Sequence, residues 1–352
     1  FYAKVISRYK YEDIALQFSK HSVDFFVGGG KNYFDKRTDG KNLIKEMDSY
    51  TFVKSIEEYN KGLIKKHEFT RPDKENDRTQ HIEITNANTG PVFLTYRNDG
   101  LFHNNIASIK KQSPEISFRA DDGTMHTLWK TKTPEKIDKL SEYFQLIPSF
   151  YIADGHHRWE TAKKYAEDTW SPSLVNVCYL RMMNVFPMDS EGVRLLGYHR
   201  ALTNLDESLN LLLERSLREK FDFERTEWRD EFYNWDTLAE EKILYSIKKD
   251  SNITWFILSR KDSTESIYEL LDESFKECFG ENLNNHVEYE HDIKSTKIKL
   301  SDNEYQACFF MNALSKDYFT STVRRGKLLP PKSTFFYPKL PTGVVIQNAC
   351  ER

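Results

Sequence analysis

The sequence predicts an α+β protein of mixed α/β character, on three observations. Apolar runs of strand length alternate with stretches of helical spacing. Residues 133–169 read as helix, strand, charged turn and helix, which is an α/β unit. The second half mixes strands and helices as an ordinary α+β region. At 352 residues the chain is long enough for two units, and 39% hydrophobic content supplies their cores.

Taken in order, Tyr11 to Phe18 is spaced as an amphipathic helix and Val23 to Val27 as a buried strand. Gly28-Gly29-Gly30-Lys31 lacks the spacing and the Ser/Thr of a phosphate-binding loop, so it is read as a flexible turn. Thr51 to Ile56 is a strand. Pro72 biases Thr70 and Arg71 towards extended backbone, and Asp73 can cap a helix reaching about Asn86. Arg71, Lys74 and Arg78 fit two readings equally: a solvated, salt-bridged helix start, or a loop that grips an anion. Pro91 to Tyr96 is a strand, and Asp121-Asp122-Gly123-Thr124 is a hairpin turn. Thr133-Pro134-Glu135 opens a helix whose buried face is Ile137, Leu140, Phe144 and Ile147, and Pro148 ends it.

The next stretch, YIADGHHRWETAKKYAED, organises the rest. Ser149 to Ala153 is a buried strand, and Trp159, Ala162, Tyr165 and Ala166 mark one face of a following helix. Between them lie Asp154, Gly155, His156, His157 and Arg158. Ligands of α/β proteins bind at such strand-to-helix turns, and a helix start favours anions. Gly155 allows close approach or positive φ, while the other four supply an acceptor, two imidazoles and a fixed cation. Adjacent histidines diverge on a helix, so a two-histidine metal site within this turn is not expected.

Beyond it, Ser171-Pro172-Ser173 breaks the helix, and Val175 to Met183 is a buried strand. Tyr198-His199-Arg200 ends a strand and is read as an ordinary surface pair. Leu209, Leu212, Leu213, Leu217 and Phe221 share a helix face. Lys242 to Lys248, Trp255 to Leu258, Val287 to Ile293 and Gln306 to Met311 are strands, and Leu270 to Phe279 is a helix. In the tail, Phe335 to Tyr337 read as the anchor of a packed arm, while Lys332, Ser333 and Thr334 offer a ligand one cation and two hydroxyls.

With 51 basic against 54 acidic residues, the net charge of −3 gives no global attraction to nucleic acid. No apolar run approaches the roughly 20 residues of a membrane span. No signal peptide is visible, although the chain begins with Phe1. Cys178, Cys278, Cys308 and Cys350 lack any C-x-x-C spacing and read as reduced thiols of a cytoplasmic protein. Nothing in the sequence sets an oligomeric state.

Two resemblances stand on particular phrases. DFFVGGGKNYF and DGKNLIKEM make residues 1–48 similar to an internal segment of bacterial alkaline phosphatases. None of that family's nucleophile or metal motifs is present, so residues 1–50 are read as a non-catalytic segment joined to the rest. GLIKKHEFTRPDKENDR, GPVFLTYR, YIADGHHRWETA, VEYEHDI and LLPPKSTFFYPKL make the remainder resemble the family catalogued as domain of unknown function 1015. The DGHHR turn is similar to that of the ParB/sulfiredoxin-like superfamily, which includes free-serine kinases.

The resemblance implies a ParB/sulfiredoxin-like phosphate-binding core over 51–190. An accessory α+β region would follow over 191–352, its C-terminal arm returning to the core. It implies Mg²⁺-dependent phosphoryl transfer from ATP, ADP or pyrophosphate to a small hydroxyl compound such as L-serine. Asp154 would hold Mg²⁺ or a phosphate-bound water, and Asp154, His156 and His157 would act at the transferring group with Gly155 and Arg158 on the phosphates. Arg71, Asp73 and Lys74 match the family's RPDK phrase, and Lys332, Ser333 and Thr334 its PPKST phrase. Superfamily serine kinases draw their general base from an N-terminal part that is replaced here, which leaves Glu68 as the candidate. The alternative is a non-catalytic nucleotide-binding or regulatory module.

Overall fold

The computed structural model describes residues 25–31, 33–34, 43–44, 47–55, 59–70, 72–97, 102–121, 123–131, 133–169, 180–238, 240–261 and 263–348. The expected helix at Tyr11 to Phe18, the breaker at Ser171 to Ser173, Cys178 and Cys350 lie outside them.

The first half contributes strands β1 (Phe25–Lys31), β2 (Tyr33–Phe34), β3 (Leu43–Ile44), β4 (Met47–Ser55), β5 (Ile64–Lys65) and β6 (Ala87–Asn88). It continues with β7 (Val92–Tyr96), β8 (Ile116–Arg119), β9 (Met125–Thr131), β10 (Phe150–Asp154) and β11 (Leu180–Pro187). Its helices are α1 (Pro72–Thr85), α2 (Phe102–Ile109), α3 (Pro134–Gln145) and α4 (His156–Thr169). The second half contributes β12 (Arg194–Leu196), β13 (His199–Leu202), β14 (Phe221–Thr226), β15 (Lys242–Lys249) and β16 (Asn252–Arg260). Then come β17 (Val287–Glu290), β18 (Ala307–Met311), β19 (Phe335–Tyr337) and β20 (Gln347–Asn348). Its helices are α5 (Glu207–Lys220), α6 (Ile267–Phe279), α7 (Leu283–His286), α8 (Ile293–Ser301) and α9 (Lys316–Arg324). The class is α+β, as the sequence predicts.

Eight strands form the larger sheet in the order β5-β10-β7-β11-β4-β1-β9-β8. β5 is parallel to β10 and β11 to β7, while β10 and β7 are antiparallel. Side chains alternate between the two faces of a strand, and here both faces are buried. Phe150 and Ile152 of β10, with Val92, Leu94 and Tyr96 of β7, pack among Ile82, Phe144, Trp159 and Tyr165 from the helices. Tyr151, Ala153, Phe93 and Phe186 point the other way, into a core built with Phe319, Val323, Phe336 and the second half. Each large apolar side chain so buried stabilises the fold by about 1.5–3 kcal/mol.

The second sheet runs β14-β16-β15-β18-β13-β17, and all its pairings are antiparallel. The tail then runs back along both halves. β19 pairs with β12, β20 pairs with β6, and the Leu329 N–H donates to the His67 carbonyl at 2.8 Å. No helix among the described residues is long and apolar enough to cross a membrane.

Four local expectations need correction. Gly28 to Lys31 is not a turn but the second half of β1, with Gly28, Gly29 and Gly30 paired to β4 on one side and β9 on the other. Glycine weakens a strand interior, and the hydrogen bonds of two neighbours outweigh that local preference. His199 and Arg200 are not a surface pair: β13 lies between β17 and β18, and both side chains are buried. Leu212 is 43% exposed, because α5 turns Leu213, Ser216 and Leu217 inward instead. The strand expected over Val287 to Ile293 ends at Glu290, since the Asp292 carboxylate accepts the Ser295 N–H at 2.6 Å and starts α8.

Candidate functional site

β5 and β10 are parallel neighbours at one edge of the larger sheet, so their C-terminal ends open side by side. That is where open α/β sheets place ligands. From β5 the chain delivers Lys66, His67 and Glu68, and from β10 it delivers Asp154 and the start of α4. The pairing of β10 with β7 slips by one residue between Ile152 and Asp154, a bulge that re-aims Asp154 just before the turn.

Gly155 has φ +97, outside the usual range of side-chain-bearing residues. A Cβ there would lie 3.4 Å from Arg158 Nε and 3.5 Å from Val92 Cα. The Trp159 N–H donates to the Gly155 carbonyl at 3.0 Å, closing the first turn of α4. The N–H groups ahead of that bond lie in the first turn, where a helix has no internal acceptors for them. Trp159, Ala162 and Tyr165 hold α4 down by their burial.

Charge at the mouth is balanced around Asp154. Its Oδ2 accepts from Arg158 at 2.9 Å and its Oδ1 from Lys339 at 2.8 Å. Burial pushes this carboxyl up, and Lys339 and Arg158 more than offset that, leaving it below the usual aspartate range. Arg158 also donates to the Pro91 carbonyl, tying α4 to the entry of β7. Glu68 is half-buried; burial raises its carboxyl, with Lys332 opposing. Lys332 has φ +58 and lies 5.5 Å from the centre of the Tyr198 ring. Arg200 places this part of the tail, donating to the Pro331 carbonyl at 3.1 Å while resting on Tyr268 at 4.7 Å.

Deeper in, His67 and His156 meet edge to face with ring centres 4.4 Å apart. His67 Nε2 hydrogen-bonds Thr334 Oγ1 at 2.8 Å, and Phe319 packs 4.9 Å from the ring. His67 Nδ1 and His156 Nε2 are buried without a hydrogen-bond partner. Burial drives the His67 imidazole down to about 3, against opposing pulls from the Ile152 backbone and Asp154, so the ring is neutral at physiological pH. Burial, then the neighbouring His67, likewise hold His156 well below the usual range.

The structure therefore brings together Glu68, Asp154, Gly155, His156, Arg158, Lys332 and Thr334. His157 is half-buried on the same turn. Ser333 turns inward, its hydroxyl donating to the Pro330 carbonyl at 2.7 Å. Arg71 and the side chains of Asp73 and Lys74 lie outside the described residues. Sequence reasoning passed over His67 and Lys339. The available signals were a histidine directly before Glu68 at the end of a strand, and a lysine five residues past Thr334 on a returning arm.

The donor set also tests the fit of Mg²⁺, an ion that favours oxygen ligands in octahedral geometry. Both Asp154 oxygens are engaged by cations. Among the described residues the side chains close enough to share an ion are His67, Glu68 and His156, two nitrogens to one carboxylate. These side chains do not form a magnesium cage.

Comparison with known proteins now decides the family. The model described as "Protein of unknown function (DUF1015)" matches residues 49–275. The chain belongs to this family. Within DUF1015, the matched span holds β5, β10 and the DGHHR turn, while the arm carrying Lys332, Thr334 and Lys339 lies beyond it. Among solved structures, a conserved hypothetical protein from Pyrococcus furiosus is similar at 15% identity and TM-score 0.46, over 83% of this chain and 93% of that one. A mutant free serine kinase in complex with AMP is similar at 13% identity and TM-score 0.46, over 82% and 87%. SbnI with a C-terminal truncation, from Staphylococcus aureus, is similar at 14% identity and TM-score 0.44, over 82% of each chain. No curated protein matches.

Proposed function

We propose that the turn between β10 and α4 binds the phosphates of ATP, ADP or pyrophosphate, and that the chain transfers a phosphoryl group to a small hydroxyl compound, L-serine being the first to test. The observation that carries this is the gathering of Arg158, Lys339 and Lys332 around Asp154 at the start of α4, with Asp154 holding Arg158 and Lys339 in place. Inner helix N–H groups and fixed cations are what a polyphosphate requires.

In this reading the phosphates share Arg158 and Lys339 with Asp154, at a glycine that lets the backbone close on them. An acceptor hydroxyl sits towards Glu68, whose carboxyl, raised by burial, is a better proton acceptor than an exposed glutamate. The hydroxyl oxygen forms the new O–P bond, the bond from phosphorus to the leaving oxygen breaks, and the hydroxyl proton passes to Glu68. His156, held neutral by burial, lines the transfer beside His157, and Ser333 shapes the arm. Arg71, Asp73 and Lys74 belong to the proposal as donor contacts on sequence grounds alone. No step runs through Mg²⁺.

The test is mass-spectrometric detection of O-phosphoserine after incubation with L-serine, Mg²⁺ and each donor in turn. Product that disappears in Glu68→Gln supports the reading. Retained nucleotide binding with no product from any donor makes the chain a non-catalytic nucleotide-binding module instead.

A further inference from the structure

We propose that His67, Glu68 and His156 form a binding site for a first-row transition dication of the zinc class, at the inner end of the opening between β5 and β10. One ligand atom from each of the three lies within 4.8 Å of the others. A tetrahedral ion about 2.1 Å from each donor needs them roughly 3.4 Å apart, so the set closes on an ion by rotamer adjustments of about an ångström.

A second observation points to an ion independently of that clustering. His67 Nδ1 and His156 Nε2 are both buried and both lack a hydrogen-bond partner. Buried polar atoms are almost always satisfied, so two open imidazole nitrogens on rings 4.4 Å apart call for a shared partner. The two rings do not supply it to each other. A dication serves both, because neutral imidazole offers a lone pair to a metal.

Thr334 completes the arrangement. Its Oγ1 hydrogen-bonds His67 Nε2 at 2.8 Å, and in the tautomer where Nε2–H donates the Nδ1 lone pair is left to an ion. Phe319, fully buried, packs edge-on against the same ring and excludes water from behind it. Two imidazoles and one carboxylate, with a remaining position towards the opening, match the three-ligand pattern of open zinc sites. Lys332 faces this group and opposes a cation, so it is not part of the donor set.

This inference stands apart from the phosphate reading, since the ion is measured with no nucleotide present. Glu68 serves either as a ligand or as a proton acceptor, not both at once, so a loaded ion competes with turnover. The pair His67 and His156 also differs from the adjacent-histidine site that the sequence argues against, because its two ligands come from different strand ends.

The test uses the full chain, stripped with chelator and titrated with Zn²⁺ alone against a chromophoric competitor. One ion per chain is expected. Affinity falls at least 100-fold in His156→Ala, falls 10–100-fold in Thr334→Val, which touches no ion, and persists in Lys332→Ala. Co²⁺ titration of the unaltered chain needs no variant: visible d–d bands of four-coordinate intensity are expected at one equivalent. The proposal is overturned by the absence of stoichiometric Zn²⁺ binding, by Co²⁺ spectra of octahedral intensity, or by binding undiminished in folded His67→Ala/His156→Ala.

Discussion

Gly155→Ala is the substitution on which the geometry of the turn bears most directly. At φ +97 the backbone lies outside the wells that alanine occupies, and strain of this kind costs roughly 1–3 kcal/mol. The new methyl would also meet Arg158 Nε at 3.4 Å and Val92 Cα at 3.5 Å, ordinary contact that adds little. Gly62 provides the control. Its φ is +74, and a Cβ there meets nothing within 4 Å. Gly62→Ala therefore carries backbone strain alone, about 1–2 kcal/mol in the nearby left-handed well. Both variants are expected to lower the thermal midpoint by a few degrees, Gly155→Ala by the greater amount. Only Gly155→Ala is expected to weaken pyrophosphate or nucleotide binding, by about tenfold or more, because relaxing its φ swings the first N–H groups of α4 away from the mouth. Scanning calorimetry and isothermal titration on both variants read the two effects. Wild-type ligand affinity in Gly155→Ala would refute the reasoning, whatever its stability.

Other expectations follow from the surroundings of the site. Arg200 is buried in the field of Asp272 and donates to the Tyr198 and Pro331 carbonyls, so removing its guanidinium leaves both acceptors short of a donor. Arg200→Met should be destabilised by about 1–3 kcal/mol for each carbonyl left unsatisfied, and, where folded, bind phosphate ligands about tenfold more weakly because Pro331 and Lys332 lose their anchor; unchanged titration isotherms in the folded variant would count against that positioning role. Glu269 sits in a capping box with Ser266 at the start of α6 and pairs with Lys327. Burial raises its carboxyl, and the bonds from Lys327, Ser266 and Tyr318 outweigh that, leaving it below its ordinary value of 4.5. Its contribution is thus present above that pH and lost as the pH falls through the folded value. Glu269→Gln should be less stable at neutral pH and show a flatter acid limb in pH-dependent melting; parallel curves for the two proteins would contradict the assignment.

The fold was legible where local chemistry and tertiary context agree. An apolar pentapeptide, a glycine and an amphipathic stretch announce β10, the turn and α4, and nothing elsewhere in the chain overrides them. The return of Lys332 to Thr334 to that turn could be expected from family phrases, but its partner could not. Thr334 meets His67, on the far side of the sequence, only because β5 and β10 lie side by side. His67 looked like one more polar residue in a charged run, and its burial comes from Phe319 and the arm folding over it. Gly28 to Gly30 show the converse. Their local preference is for a turn, and strand pairing on both sides imposes β structure on them. Arg200 reads as a surface cation until two tyrosine rings and a carbonyl are brought around it.

The claim at the centre of this account is that the turn between β10 and α4 holds phosphate. Isothermal titration of pyrophosphate into the full chain and into Arg158→Ala, with circular dichroism confirming that both are folded, tests it most directly. The account predicts saturable one-site binding that weakens at least tenfold when the guanidinium is removed. Equal affinity in the two proteins, or no binding to either, would contradict it.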